Sequence, residues 1–173
     1  IRKKDGQFVI FLNDEEIPVL GISPTFAQLV GKPEQSVKQF VNNRVKDAQW
    51  FIHSIQQRNQ TLLKVARAIV EFQREFFLKG KKSLVPLTLK DIAIEIGVSE
   101  ATVSRITNGK YAQTEWGIFE LKYFFTNSIS GAGSGGSRYS KEGVKEVIRE
   151  ILVNEADSGR RMSDQKISDL LAQ

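Results

Sequence analysis

From Ser36 to Lys79 the chain contains neither glycine nor proline. Across that stretch an apolar series, Val41, Ala48, Ile55, Leu62, Ile69 and Phe76, repeats every seven residues. A second series, Val45, Ile52, Asn59, Ala66 and Gln73, interleaves with it. Stripes of this period lie on one face of an α-helix. The phase runs unbroken through Arg58-Asn59-Gln60-Thr61, where a turn between two helices would reset it. The spacing therefore predicts one helix from Ser36 to about Phe76, in preference to a hairpin broken near Asn59. About 40 residues at ~1.5 Å rise give a rod of roughly 60 Å. A core of this size cannot cover such a rod, so part of it is expected to contact another domain, subunit or larger complex. Trp50, Phe51, Phe72 and Phe77 flank the stripe and read as packing residues rather than as a stacking platform for bases. Gly80-Lys81-Lys82-Ser83 ends the helix. It resembles the tail of a phosphate-binding loop, but the upstream glycine position holds Glu75, so it reads as a helix stop and a basic loop.

That loop leads into Pro86 to Lys110, which reads as helix, tight turn, helix. Thr88 suits the N-cap of the first helix, and Leu89, Ile92, Ala93 and Ile96 fall on one buried face. Gly97 stands where the chain must turn in a left-handed conformation. Ser99 suits the N-cap of the second helix, with Val103 and Ile106 inward. A pair built this way is the helix-turn-helix unit, whose second helix lies in the DNA major groove. Its outward face carries Ser99, Glu100, Thr102, Ser104, Arg105 and Asn108, with Lys110 just beyond. Short polar side chains and one forked guanidinium can approach base edges or phosphates. Lys81 and Lys82 are added as candidate phosphate contacts.

The formal charge over 173 residues is +5, which suits a polyanionic partner. Cysteine is absent, which fits a reducing cytoplasm, and His53 is the one histidine. A thiolate site, a multi-histidine zinc site and a Ser-His-Asp triad therefore lack parts. No cofactor loop is identified, and no run approaches membrane-spanning length. The first residue is Ile1, and the chain reads as a fragment. Around Asp5-Gly6 and Asn13-Asp14, turn signals separate strand formers Gln7 to Leu12 and Glu16 to Leu20, so a hairpin or two irregular strands is expected. Asp14-Glu15-Glu16 reads as a solvated turn. In Tyr111 to Phe125, Trp116, Ile118, Phe119, Leu121 and Phe124 are expected in the core. Asn127 to Ser140 is a Gly/Ser linker whose G-x-G-x-x-G arises from composition. Ser140 to Asn154 is a helix with Val144, Val147, Ile148, Ile151 and Leu152 on one face. A loop follows to Arg161, and Ser163 caps a last helix bearing Ile167, Leu170 and Leu171.

At GIFELKYFF, Gly117 to Phe125, soon after EATVSRITNGKY, the chain resembles the sigma-54 (sigma-N) family of bacterial transcription initiation factors. RNQTLLKVARAIVEFQREFFLKG from Arg58, LTLKDIAIEIGVSEATVSRIT from Leu87 and SDQKISDLL from Ser163 carry the same resemblance. It covers nearly the whole chain, most weakly at Arg2 to Pro33. The resemblance implies a non-enzymatic cytoplasmic subunit that binds core RNA polymerase and directs it to promoters with GG and GC elements. Polymerase would be held closed until an ATP-hydrolysing activator acts. The family's glutamine-rich N-terminal region, most of its core-binding domain and its Ala-Arg-Arg-Thr-Val box are expected to lie outside this stretch.

The expected fold is mainly α. It comprises an extended or hairpin segment at 1–33 (the end of the core-binding region), the long helix at 34–79, the helix-turn-helix domain at 80–127, a linker at 128–140 and a truncated small helical DNA-binding domain at 141–173. The alternative is a dimeric helix-turn-helix regulator that dimerises through the long helix. Asn59 and Gln73 inside the stripe weaken a simple seam for it.

Overall fold

The computed structural model describes residues 1–13, 18–29, 35–127, 140–156 and 163–171. The chain is mainly α and divides into two compact units, Phe11–Lys64 and Ile1–Ile10 with Val65–Gln173. The Asp14-Glu15-Glu16 turn and nearly all of the Gly/Ser linker lie outside the described residues.

A hairpin opens the chain. Strands β1 (Arg2–Lys4) and β2 (Gln7–Val9) pair antiparallel, Lys3 opposite Phe8. The turn between them places Asp5 at φ 51° and Gly6 at φ 78°. The partner of Gln7–Val9 is Arg2–Lys4 rather than the expected Glu16–Leu20, pairing stops at Val9, short of the expected Leu12, and residues 18–20 form no strand. Segment 1–33 is also not wholly extended, because Pro24–Leu29 forms a short helix, α1. Proline suits the first helical position, where its missing N–H has no partner to lose.

Helix α2 runs from Gln35 to Phe72. It is continuous through Asn59 to Thr61, as the unbroken phase predicts. Its end differs from the expectation: the helix stops at Phe72 rather than near Phe76, and a separate helix α3 covers Arg74–Lys79. The interruption is Gln73, at φ −100° and ψ 25°. Its side chain is fully buried and clamps two other segments. Nε2 donates to the carbonyls of Val85 (2.8 Å) and Phe124 (3.1 Å), and Oε1 accepts from the Val85 N–H (3.0 Å). Gln73 is thus a fully satisfied buried amide rather than a weak seam position.

In Phe11–Lys64, Val41 is buried, but Phe40, Trp50 and Phe51 are exposed, Trp50 by 71%. Trp50 and Phe51 are not the packing residues expected. Neighbouring helix residues stand ~100° apart, so aromatics flanking a stripe fall off its buried face. Phe72 is partly exposed for the same reason, while Phe77 is buried.

The core of the other unit is aromatic. Phe76 and Phe124 are both fully buried, with ring centroids 5.1 Å apart and edge to face. Phe77 stacks on Phe124 at 5.5 Å, and Phe8 of the N-terminal hairpin meets Phe77 at 5.5 Å. Ile69, Val65, Leu87, Ile92 and Val103 are buried with them. A 3-10 turn, Lys81–Ser83, follows α3 and leads to helices α4 (Leu89–Ile96) and α5 (Glu100–Thr107).

After α5 comes a second hairpin, β3 (Tyr111–Thr114) and β4 (Gly117–Glu120), with Ala112 opposite Phe119 and Gln113 opposite Ile118. Ile118 and Trp116, expected in the core, are 70% and 42% exposed. Strand residues alternate faces, so Phe119 toward Phe76 sends Ile118 outward. Trp116 sits in the hairpin turn and covers a backbone instead. Its Nε1 donates to the Phe77 carbonyl at 3.2 Å, one of the carbonyls left open at the end of α3. The indole lies so close to Gly80 that a Cβ there would stand 3.3 Å from it, and Gly80 is at φ 93°.

A 3-10 turn at Leu121–Phe124 follows, and Thr126 exchanges both backbone hydrogen bonds with Leu87 at 3.0 Å. Helix α6 (Lys141–Ala156) extends past the expected Asn154, and α7 covers Asp164–Leu171. Among the described residues no helix is long and apolar enough to cross a membrane.

Candidate nucleic-acid interface

The helix pair is held at each end by side chains the local sequence supplies. Thr88 caps α4 reciprocally. Its Oγ1 accepts from the Asp91 N–H at 3.3 Å, while Asp91 Oδ2 accepts from the Thr88 N–H (2.9 Å) and hydroxyl (2.7 Å). This is a capping box with aspartate at the third position. The Thr88 hydroxyl and then its N–H hold the Asp91 carboxyl below its ordinary value of 3.8. A depressed carboxylate adds stability above its unfolded pKa, and that stability is lost as pH falls through the lower folded value. Thr88→Ala is therefore expected to cost about 1 kcal/mol near neutrality, as cap losses do. Its deficit relative to wild type should shrink as pH drops below the ordinary carboxylate value. Urea midpoints at neutral pH and at pH ~3 check this; a deficit independent of pH would rule the reciprocal cap out.

Gly97 ends α4 at φ 68° and ψ 42°, and the Val98 N–H reaches back to the Ala93 carbonyl at 3.0 Å. Ser99 then caps α5, its Oγ accepting from the Thr102 N–H at 3.2 Å. Val103 is fully buried and Ile106 half-buried against the rest of the unit. Thr107 is buried too, its hydroxyl donating to the Val103 carbonyl at 2.9 Å.

Glu100, Ser104, Arg105 and Asn108 are all exposed on α5 and its C-terminal edge. Ser99 is exposed and Thr102 half-buried, and their hydroxyls share a 2.9 Å hydrogen bond. Ala101 also faces outward, which the sequence reading passed over. Its lack of bulk, beside Arg105 one turn on, leaves room for close approach. Lys110 is half-buried where the chain enters β3, and its carbonyl accepts from the Leu121 N–H at 2.7 Å. The Gly109 N–H donates to Glu120 Oε1 of β4 at 3.0 Å, so a side chain of the hairpin closes the C-terminal side of α5.

Lys81 and Lys82 stand apart on the 3-10 turn before α4. The Lys81 ammonium lies 5.6 Å from the centre of the Phe119 ring. The Lys82 ammonium is paired with Glu150 of α6. Burial first, then the charges of Glu146 and Glu142, raise the Tyr123 hydroxyl above its ordinary pKa of 10.0. The β3–β4 hairpin is the part of this surface that sequence reasoning missed. Its signal was the alternation through Tyr111 to Glu120 around Thr114-Glu115-Trp116-Gly117, with Gly117 at φ 119°. Tyr111 and Ile118 are exposed on its outer face.

The family model for the "Sigma-54, DNA binding domain" matches residues 38–173. The RNA polymerase sigma-54 factor of Vibrio anguillarum is 39% identical over 172 residues, which are 99% of this chain and 35% of that protein. Its counterpart from Pseudomonas aeruginosa is 40% identical, again over 99% of this chain and 34% of the relative. The chain thus spans about a third of the length of these curated relatives. The crystal structure of Aquifex aeolicus sigmaN bound to promoter DNA is 31% identical, with a TM-score of 0.59 over 99% of this chain and 50% of that one. A capped helix pair with a polar outward second helix, in a chain matched by that family model over most of its length, has one assignment: the chain belongs to the sigma-54 DNA-binding-domain family.

Proposed function

We propose that this chain is the DNA-binding part of a bacterial transcription initiation factor of the sigma-54 type, non-enzymatic and working in the cytoplasm. It engages promoter DNA through α5, with Ser99, Glu100, Thr102, Ser104, Arg105, Asn108 and Lys110 toward the duplex and the turn Lys81–Ser83 near its backbone. It acts with core RNA polymerase, which stays closed until an ATP-dependent activator intervenes. The observation that carries this reading is the α4–α5 pair, whose exposed second helix bears one guanidinium among small residues. The relatives named RNA polymerase sigma-54 factor, and the sigmaN structure with promoter DNA, support it over a dimeric regulator.

The test is binding to a duplex carrying GG and GC elements and to a scrambled duplex, at two salt concentrations. Affinity for both is expected to fall steeply with salt, because phosphate contacts release condensed counterions. Neutralising Lys81 and Lys82 together is expected to weaken both duplexes about equally and to lower the salt slope by at most ~2. A loss confined to the promoter duplex would make these lysines readers of sequence. Sizing should give one chain per duplex; two chains on a palindromic site would favour the dimeric regulator.

A further inference from the structure

Helix α6 packs on the basic turn to which the DNA reading assigns phosphate contacts. Glu142, Glu146 and Glu150 recur every four residues and so lie along one side of the helix. Glu142 and Glu146 pair within α6, with Lys145 and Arg149. Glu150 instead reaches across to Lys82. Near the start of α6 the two backbones almost touch. A Cβ on Gly143 would stand 3.2 Å from the Lys82 carbonyl oxygen, 3.3 Å from that of Leu84 and 3.0 Å from Ser140 Oγ. Ser140 is fully buried, and its Oγ accepts from the Gly143 N–H at 3.0 Å. Close approach at one end and an ion pair two turns later fix α6 on the turn.

We propose that α6 is a latch: Glu150 stands on Lys82 where a DNA phosphate would, and binding of a duplex through the turn requires the latch to open. This rests on the reading of that turn as a phosphate contact. One ammonium cannot serve a carboxylate and a phosphate at full strength together. The pair is half exposed, so it is weak and screened by salt, and a duplex can displace it. The free protein therefore carries its own competitor for non-specific DNA, and a bound duplex frees α6 to move.

The test uses the full 173-residue chain and a random-sequence duplex at low salt. Glu150→Gln is expected to tighten binding about two- to fivefold, the worth of an exposed pair. Gly143→Ala leaves every charge in place and puts a Cβ against the Lys82 and Leu84 carbonyls and Ser140 Oγ, so it loosens the docking at the start of α6. It is expected to tighten binding as well. Both gains should vanish in a Lys82→Ala background; a gain from Glu150→Gln that survives there would be long-range charge and would overturn the latch. The chain has no cysteine, so thiols at Glu95→Cys and Val153→Cys accept spin labels cleanly. The distance between them should be narrowly distributed in the free protein and broad with saturating duplex. In Gly143→Ala it should be broad without DNA. A distribution that duplex leaves unchanged overturns the latch while the DNA-binding reading stands. A wild-type chain that binds no duplex overturns both.

Discussion

Arg105→Ala is expected to weaken binding to a GG/GC promoter duplex by about 5- to 150-fold, or roughly 1–3 kcal/mol, if the guanidinium forks onto a guanine edge. Arg105 is exposed in the last turn of α5, and Val103 and Ile106 anchor the opposite side. Ala101 and Ser104 beside it add little bulk, so the helix can lie deep enough for that contact. Preference at one base position should flatten, while affinity for scrambled DNA changes little. Two other outcomes carry different meanings. If Arg105 meets phosphate, both duplexes weaken together and the salt slope falls by about one. If both duplexes bind as before, α5 is not the reading surface and the proposed function fails. Titrations of both duplexes at two salt concentrations separate the three.

Gln73→Ala is expected to destabilise the unit containing α3 to α5 by about 3–5 kcal/mol. The substitution opens a cavity in a fully packed place and strands buried backbone groups, each costing about 1–3 kcal/mol. The stranded groups are the part-buried N–H of Val85 and the buried carbonyl of Phe124, while the Val85 carbonyl keeps a 3.4 Å hydrogen bond from the Thr126 hydroxyl. Gln73→Leu, which restores most of the volume but no hydrogen bond, should still cost about 2–3 kcal/mol. Urea unfolding followed through Trp116, in a Trp50→Phe background, measures it. A loss below about 1 kcal/mol for Gln73→Ala would mean that water replaces the amide and that the clamp is dispensable.

Gln73 also shows where reading the sequence stops. Its place in a seven-residue stripe marked it as inward, but only the fold supplies the chain that returns at Val85 and Phe124 to meet it. The same limit accounts for the early end of α2, since a helical period cannot reveal one residue diverted to bind distant carbonyls. Local signals were legible where neighbours along the chain satisfy one another: Thr88 with Asp91, Gly97 with its left-handed turn, Ser99 with Thr102. Continuity through Asn59 was legible because phase is a local property too. The β3–β4 hairpin was not, because its apolar residues looked equally fit for a core. Only the pairing of Gln113 with Ile118 and Ala112 with Phe119 decides which half faces out. Lys82 was legible as a cation and not as one already paired, since Glu150 lies far along the chain.

The closure of α5 at both ends bears on the thermodynamics of docking. A helix of eight residues has no lasting existence in water by itself. Here Ser99 fixes its first turn, and Glu120 of β4 holds the Gly109 N–H just past its last. The entropy of ordering this helix is thus met during folding, before any duplex arrives. Contact with DNA then carries no coupled folding of α5, and its heat-capacity change reports surface dehydration alone at this helix. Under the proposed function, the hairpin's contribution is a rigid reader, whose affinity is not lowered by a search for its bound shape.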